Sequence, residues 1–388
     1  MASLRRDVET LADMERGSAT PGERASAEWL ARRLSGIGAA DVRLLTFRYS
    51  RSFATAHAAH YAAGAVGALV GGPVGAALAL AAAASYELDF SGRRQWLRAL
   101  LPAGEGTTVV GRVPAQGERR QTLVLVAHHD AAHTGLIFRL LAAGRGGAAA
   151  ERRGGVRSFA LPITAGLALT ALGALVAPRL TRRLAVLLFA GQVALMADVE
   201  RSDTVPGASD NATGVAGVLA LVHEFAHRRL DGTEVVVVLP GCEESGMGGM
   251  AAWIRREGVQ LDPASTLVLG LDTLGAGEPA ILSAEGPVRR ERYPEQVLAL
   301  ADRGAALAGL DPPRRWRIGG WTDPVLAVQA GLPAVSIVST RDGGFTNYHL
   351  PTDTADRVDW QSVERSVRLA GGTARDFART GLRVPTSG

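Results

Sequence analysis

The segment "TLVLVAHHD" (residues 122–130) decides the fold class, because it joins a buried strand to a cluster of polar side chains. Its apolar first part is typical of a strand covered on both faces of a sheet. Further predicted strands are "DVRLLTFRY" (41–49), "TTVVGRVPA" (107–115), "TEVVVVLP" (233–240), "STLVLGLD" (265–272), "PAILSAEG" (279–286) and "LPAVSIVS" (332–339). Helical patterns lie at 211–229, 246–257, 292–309 and from 359 onward. Strands that alternate with helices predict an α/β sandwich.

The N-terminal segment "SATPGERASAEWLARRLSGIGA" (18–39) carries the signals of a helix start. Thr20 is the expected N-cap, Pro21 takes the first helical position, and Glu23 completes a capping box. Apolar residues then recur at helical spacing up to Gly36. We therefore predict a helix that begins at Pro21 and ends at Gly36.

Two apolar stretches interrupt this alternation. Residues 52–86 contain no Arg, Asp or Glu and are broken by "GGP" at 71–73. Residues 159–177 are uncharged over about the 20 residues that a bilayer crossing requires, and a shorter apolar run follows at 184–197. Each stretch predicts a helical hairpin inserted into the α/β unit. The predicted domains are an α/β domain at 1–51, 106–135 and 201–388, and inserted apolar helical hairpins at 52–105 and 136–200.

We expect the apolar segments 53–86 and 159–199 to contact a lipid bilayer, which would make this an integral membrane protein. Ala and Gly drive insertion only weakly, so a soluble helical subdomain or a dimer contact is the alternative. The loop 178–183 contains three arginines, and the opposite ends of the hairpins contain more. Those are Arg51, Arg93, Arg94, Arg98, Arg152, Arg153, Arg157 and Arg201. This excess predicts a cytoplasmic α/β domain.

The overall charge gives no sign of a nucleic-acid partner. The 388 residues include 42 basic and 38 acidic side chains, a mild net charge of +4, and every basic residue other than histidine is arginine. The high pI of about 9.8 reflects the pKa of arginine more than a basic patch. Cys242 is the only cysteine, so the chain forms no internal disulfide bond.

Acidic residues and histidines cluster where the predicted strands end, which is where open α/β sheets place ligand sites. The first strand with such an end, "TLVLVA", is followed by His128 and Asp130, and Asp130 lies in position to orient an imidazole. The loop "GASDNATG" (207–214) places Asp210 just before a helix. The remaining candidates are Glu243 and Glu244 in "GCEESG" (241–246), Asp272 after "LVLGL", and His349 in "TNYHLPTD" (346–353).

These residue types suit two zinc ions that share a carboxylate, because imidazoles and carboxylates bind Zn²⁺ and open positions leave room for a bridging water. Two metal ions about 3.5–4 Å apart lower the pKa of that water and stabilise the oxyanion of an attacked carbonyl. Side chains of adjacent residues diverge in a strand-end turn. Of Glu243 and Glu244, one can therefore ligate a metal while the other acts as general base.

At this point the residues resemble a known family, the co-catalytic di-zinc aminopeptidases of metallopeptidase family 28. The likeness covers the α/β portion in the family's order. The segments that carry it are "SATPGERASAEWLARRL" (18–34), "VLVAHHDAA" (124–132), "GASDNATGVAG" (207–217), "GCEESGMGG" (241–249), "LGLDTLG" (269–275), "TDPVLAVQAGLPAVSIV" (322–338) and "NYHLPTDT" (347–354). The two apolar inserts depart from the family, whose members usually have short connections there.

The resemblance implies a three-layer sandwich with a mixed, mainly parallel central sheet between helices, and two zinc ions per chain. It also implies a role for each candidate. Asp210 would bridge the two ions, Glu244 and His349 would bind one ion and His128 and Asp272 the other, Glu243 would be the general base, and Asp130 would support a ligand.

The implied activity is that of a zinc-dependent exopeptidase, above all an aminopeptidase that hydrolyses N-terminal residues from a peptide substrate. A metal-bridging water would be the nucleophile and Glu243 its base. A glutaminyl-cyclase-like acyltransferase or a carboxypeptidase on the same fold is the alternative. A non-catalytic membrane scaffold would be favoured by lost ligands, yet all five ligand positions have the expected residue types.

A second possible zinc motif lies in "LVHEFAH" (221–227), which has the H-E-x-x-H pattern of zincin proteases. The apolar stripe of this helix places His223 and His227 at its flank and Glu224 nearly opposite the stripe. No third helical ligand follows, because the chain continues directly into a strand. We therefore interpret this motif as a coincidence, and His129 and His133 as loop residues.

Overall fold

The structure, a computed structural model, describes residues 2–142, 154–156 and 160–382. Its strands are β1 (Ala40–Tyr49), β2 (Gly104–Val113), β3 (Gln116–Val126), β4 (Gly155–Val156), β5 (Asp231–Leu239), β6 (Thr266–Leu271), β7 (Glu278–Glu285), β8 (Glu291–Arg292), β9 (Arg314–Ile318) and β10 (Ala334–Thr340). Its helices are α1 (Ala2–Ala12), α2 (Pro21–Gly36), α3 (Ala54–Val70), α4 (Gly72–Phe90), α5 (Leu136–Ala142), α6 (Ala160–Val176), α7 (Arg179–Arg201), α8 (Thr213–His227), α9 (Gly248–Arg256), α10 (Glu295–Leu307), α11 (Pro324–Gln329) and α12 (Trp360–Thr380).

The strands form one mixed sheet in the order β1-β2-β5-β3-β6-β10-β7-β9-β4, with β8 paired to β7. The central strands β5, β3, β6 and β10 are parallel to one another, while β2 and β7 pair with them in antiparallel orientation. Because parallel strands all end at the same edge, the loops after these four strands meet there. The predicted mixed, mainly parallel sheet between helices is confirmed.

Helices flank this sheet and share its core. Helices α8 and α12 pack against each other and on the central strands, and α10 packs on α12. Helices α9 and α11 contact each other, α9 lying on β1 and β2 and α11 on β6 and β10. The central strands β6 and β10 are mainly apolar, and every one of their residues is buried. Helix α2 begins and ends at the predicted residues.

The apolar stretches are helical, the first in α3 and α4 and the second in α6 and α7, and these four helices pack together as one bundle. The bundle has its own buried cluster, separate from the core of the sheet. Its helices approach closely because small residues line the contact: a Cβ added at Gly67 would lie 2.8 Å from the carbonyl oxygen of Gly75. Close packing of small residues is typical of helices that associate in membranes.

Candidate metal centre

All seven predicted site residues lie at the carboxyl edge of the sheet. His128 and Asp130 follow β3, Glu243 and Glu244 follow β5, and Asp272 directly follows β6. The other two lie in loops, Asp210 just before α8 and His349 after β10. The loops differ in length, but each leaves one of the parallel strands or enters the helix beside it. The side chains therefore meet although they are far apart in the chain.

The distances sort the five predicted ligands into two groups that share Asp210. In one group, Nε2 of His128 lies 3.3 Å from Oδ1 of Asp210 and 3.8 Å from Oδ2 of Asp272. In the other group, Nε2 of His349 lies 3.0 Å from Oε2 of Glu244 and 3.5 Å from Oδ2 of Asp210. Within each group, the potential ligand atoms lie within 4.8 Å of one another. The two oxygens of Asp210 thus face different groups.

The pKa shifts of the clustered side chains show that their carboxylates are stabilised by nearby positive charge. Burial raises the pKa of Asp272 to about 6, and proximity to Asp210 adds to the shift. Burial alone would lower the pKa of His349, but Glu244 and Asp210 raise it to about 9. The pKa of His128 is raised in the same way by surrounding carboxylates, against the effect of burial. The carboxylates therefore favour cationic imidazoles, and a divalent cation would supply the same compensation without those protons.

The unsatisfied atoms agree with a cation site. Both ring nitrogens of His349 and Oε1 of Glu244 are buried and make no hydrogen bond among the described residues. Buried polar atoms without partners are rare, and both side chains belong to the group formed by Asp210, Glu244 and His349. The mixture of imidazole and carboxylate groups is one that zinc accepts. The residues present thus fit a pair of zinc ions.

The general-base candidate, Glu243, lies beside both groups, with Oε2 3.9 Å from Nε2 of His128. Burial raises its pKa well above the ordinary value, and repulsion from Asp323 contributes. Asp323 is a carboxylate that the sequence reasoning did not single out, although it lies in the quoted segment 322–338. It is 2% exposed, and neither of its oxygens has a hydrogen-bond partner among the described residues.

Asp130 holds the turn that carries the two glutamates. Its carboxylate accepts hydrogen bonds from the backbone N–H groups of Glu243 at 3.0 Å and Glu244 at 3.1 Å, and from the hydroxyl of Ser18 at 2.6 Å. Nδ1 of His128 lies 3.5 Å from the same carboxylate. Asp130 therefore contacts the predicted ligand His128 and also the backbone of Glu243 and Glu244. The sequence predicts for it only the support of one ligand.

Two residues that the sequence reasoning missed fix the loop of Asp210. The carboxylate of Asp353 accepts hydrogen bonds from the backbone N–H groups of Ser209 at 2.9 Å and Asp210 at 3.0 Å. The fully buried guanidinium of Arg16 donates to the carbonyl oxygens of Asp130 at 3.0 Å and Gly207 at 2.5 Å. Arg16 thus ties the loop after β3 to the loop of Asp210.

Glu23 does not complete the predicted capping box. Thr20 caps α2, since its hydroxyl accepts from the N–H of Glu23 at 3.3 Å. The Glu23 carboxylate instead accepts from the N–H groups of Ala19 at 2.9 Å, Thr107 at 2.8 Å and Cys242 at 3.0 Å. Ala19 is a local donor, but Thr107 lies within β2 and Cys242 in the turn after β5, so local sequence could not reveal these two. Glu23 fixes the residue that precedes Glu243.

The H-E-x-x-H motif lies away from this centre. His223 and His227 are exposed on α8 with their rings 4.4 Å apart, and Glu224 forms an ion pair with Arg375. None of the possible metal-binding groups found among the described residues includes them. His129 is buried with hydrogen-bond partners, Ser26 at 2.8 Å and the carbonyl of Thr107 at 2.9 Å.

Comparison with known proteins identifies the family and agrees with the fold. The model of peptidase family M28 matches residues 108–373. The uncharacterised protein YfbL of Escherichia coli (strain K12) is 27% identical over 194 residues, a match that spans 42% of this chain and only 57% of YfbL. An aminopeptidase from Aneurinibacillus sp. strain AM-1 has a similar fold, with a TM-score of 0.58, 13% identity and coverage of 96% of this chain and 92% of that one. The crystal structure of Fimbriiglobus ruber glutaminyl cyclase is also similar, with a TM-score of 0.53 and 15% identity. The match covers 97% of this chain and 94% of that one.

Proposed function

Because the chain belongs to peptidase family M28, we propose that it is a di-zinc aminopeptidase that removes N-terminal residues from peptides. The observation that carries the proposal is the pair of ligand groups that share Asp210. His128 and Asp272 would hold one zinc ion, Glu244 and His349 the other. When bound, the two ions would lower the pKa of a water between them and polarise the scissile carbonyl.

Glu243 would then move the proton. Its side chain belongs to neither of the two groups that share Asp210, although it lies close enough to His128 and Glu244 to form a third possible metal-binding group with them. As a carboxylate it accepts a proton from the attacking water, and as a carboxylic acid it returns that proton to the departing amine. Asp130 keeps the Glu243 backbone in place through the N–H group of Glu243 itself. Burial of this carboxylate favours its protonated form and so its second role.

Zinc content and cleavage position test this proposal together. We expect elemental analysis of detergent-purified protein to give two zinc ions per chain. A peptide with a free N-terminus should lose its first residue, detected by mass spectrometry, whereas the N-acetylated peptide should remain intact. Release of the C-terminal residue would show a carboxypeptidase. One zinc ion with cyclisation of an N-terminal glutamine would show a glutaminyl cyclase, and absence of zinc would favour a scaffold.

We further propose that the four-helix bundle enters a lipid bilayer. Helix α7 is the one helix among the described residues that is long and apolar enough to cross a membrane. Of its most apolar 18-residue stretch, 11% is buried. Large apolar side chains stay exposed near the hairpin tips, including Val74 and Leu175, and toward the middle of α7, including Leu187. These tips lie together, since Arg182 of α7 contacts Gly71 between α3 and α4. The exposed surface is therefore continuous over both hairpins.

The cytoplasmic orientation of the α/β domain is part of the same proposal, and it rests on the arginines at the domain end of the hairpins. Arg98 forms a buried ion pair with Asp89, and Arg93 pairs with Glu291. Arg152, Arg153 and Arg157 lie outside the described residues.

Substitution of an exposed leucine tests the membrane proposal. Leu187→Asp places a charge on a side chain that is 68% exposed on α7. A charge at the centre of a spanning helix costs about 2.5–3.5 kcal/mol, so partition into phosphatidylcholine–phosphatidylglycerol vesicles should fall on the order of 100-fold. Val259→Asp is the matched control, because Val259 is 66% exposed but lies on the α/β domain. A wild-type protein that stays monodisperse without detergent and does not float with vesicles would contradict the proposal.

A further inference from the structure

A cavity lies directly beside the metal centre, and the inserted helices build much of its wall. Its volume is about 100 Å³, and Glu243, Glu244 and His349 are among the residues that line it. This volume is below the roughly 300–1,000 Å³ of pockets that hold a whole small ligand, so the cavity suits a single side chain. The rest of the wall is mainly aromatic, with Phe53, His57, Phe90, Phe138, Trp321 and Tyr348.

The aromatic wall is continuous from a predicted zinc ligand into the bundle. The ring of Phe138 lies 4.5 Å from that of His349 and 6.4 Å from that of Phe53. Phe53 in turn lies 5.0 Å from His57. Phe53, His57 and Phe138 come from the two apolar inserts. The inserts therefore build part of the wall of this cavity.

Two aromatic side chains of this wall carry buried ring nitrogens without a hydrogen-bond partner among the described residues, Trp321 with its one N–H and His57 with both nitrogens. The side chain of His57 is 2% exposed. His60, one turn further along α3, shows the usual arrangement, with Nδ1 2.7 Å from the carbonyl of Ala56 and Nε2 2.9 Å from the hydroxyl of Ser85. A buried imidazole without partners costs free energy that a ligand's polar group would recover.

We propose that this cavity receives the side chain of the substrate's N-terminal residue and selects tyrosine. The ring of tyrosine would lie between the aromatic side chains, and its hydroxyl would hydrogen-bond to His57. A tyrosine hydroxyl both donates and accepts, and a neutral imidazole offers one donor and one acceptor. Phenylalanine fills the same space but leaves His57 unpaired. This inference rests on the proposed aminopeptidase activity for its reaction.

The expected result is a preference that depends on His57. Among peptides that differ only in the first residue, kcat/KM should be about tenfold or more higher for tyrosine than for phenylalanine, because an unpaired polar group penalises the analogue that lacks the hydroxyl. His57→Phe keeps an aromatic ring but removes both nitrogens. It should lower the value for tyrosine to that for phenylalanine and leave phenylalanine and alanine peptides within about twofold of wild type. His60→Gln, the control on the same helix, should keep the wild-type ratio.

A binding measurement separates this inference from the proposed activity. If no peptide is hydrolysed, the aminopeptidase proposal fails, and calorimetry with free L-tyrosine and L-phenylalanine then tests the cavity alone. Tighter binding of L-tyrosine to wild type, lost in His57→Phe, would uphold the pocket. Equal binding of the two amino acids would overturn it. If peptides are hydrolysed, a preference for alanine, or a tyrosine-to-phenylalanine ratio unchanged by His57→Phe, would overturn the pocket and leave the aminopeptidase proposal standing.

Discussion

Glu243→Gln is expected to lower kcat for peptide hydrolysis by about 10²–10⁴-fold, the usual contribution of a general base. Glutamine keeps the size of the side chain and its capacity for hydrogen bonding, but it cannot accept the proton of the attacking water. The backbone N–H of residue 243 would still donate to Asp130, so the turn should keep its shape. The zinc content should stay at the wild-type value, because Glu243 belongs to neither of the ligand groups that share Asp210.

The matched control for Glu243→Gln is His223→Ala. His223 belongs to the H-E-x-x-H motif but is exposed on α8, and its loss should leave kcat and KM unchanged. Steady-state kinetics and elemental analysis on both variants supply the measurement. Full activity in Glu243→Gln together with an inactive His223→Ala would reverse the assignment and establish the zincin interpretation.

The sequence is sufficient to predict the candidate site because parallel strands constrain it so strongly. Once β3, β5, β6 and β10 are recognised as buried strands, their carboxyl ends must meet at one edge. His128, Glu244 and Asp272 each lie within a few residues of such an end. Their proximity follows from topology, without knowledge of side-chain packing. Asp210 and His349 lie on longer loops, and the resemblance to a family was needed to give them roles.

The supports of the site could not be predicted, since they depend on contacts between distant parts of the chain. Arg16 lies in an unremarkable segment, yet its guanidinium reaches carbonyl groups at 130 and 207. Glu23 has the spacing of a capping box, but its carboxylate accepts hydrogen bonds from the N–H groups of Thr107 and Cys242, which the tertiary fold brings close. Local sequence describes the neighbours along a helix and not the donors that tertiary folding brings near.

The apolar inserts show a different limit. Their composition predicts helices and their lengths, but α6 is apolar on every side and so does not indicate which face meets a partner. The sequence therefore predicts two hairpins without their association. The structure joins them as one bundle whose inner end contributes Phe53 and His57 to the cavity beside the metal centre. A role in substrate selection follows only from this arrangement.

Asp210→Asn is expected to remove at least one of the two zinc ions. The two carboxylate oxygens of Asp210 face different ligand groups, Oδ1 toward His128 at 3.3 Å and Oδ2 toward His349 at 3.5 Å. The amide of asparagine keeps one oxygen, loses the negative charge and turns an NH₂ group toward one of the ions. Two dications close together repel each other, and the shared carboxylate reduces that repulsion. The affinity for the second ion should therefore fall most.

The fold of this variant should persist, because Asp353 holds the loop through the backbone N–H groups of residues 209 and 210. Asp353→Asn is the comparison variant, because Asp353 supports the ligand loop without binding metal itself. Loss of such a supporting group lowers metal affinity by about 10–100-fold. Substitution of Asp210 should lower the metal affinity by more than this. Competition with a chelator and elemental analysis measure both variants, and thermal unfolding with added zinc gives an independent readout, because ligand binding stabilises the folded state. Two tightly held zinc ions in Asp210→Asn would show that Asp210 does not bridge them.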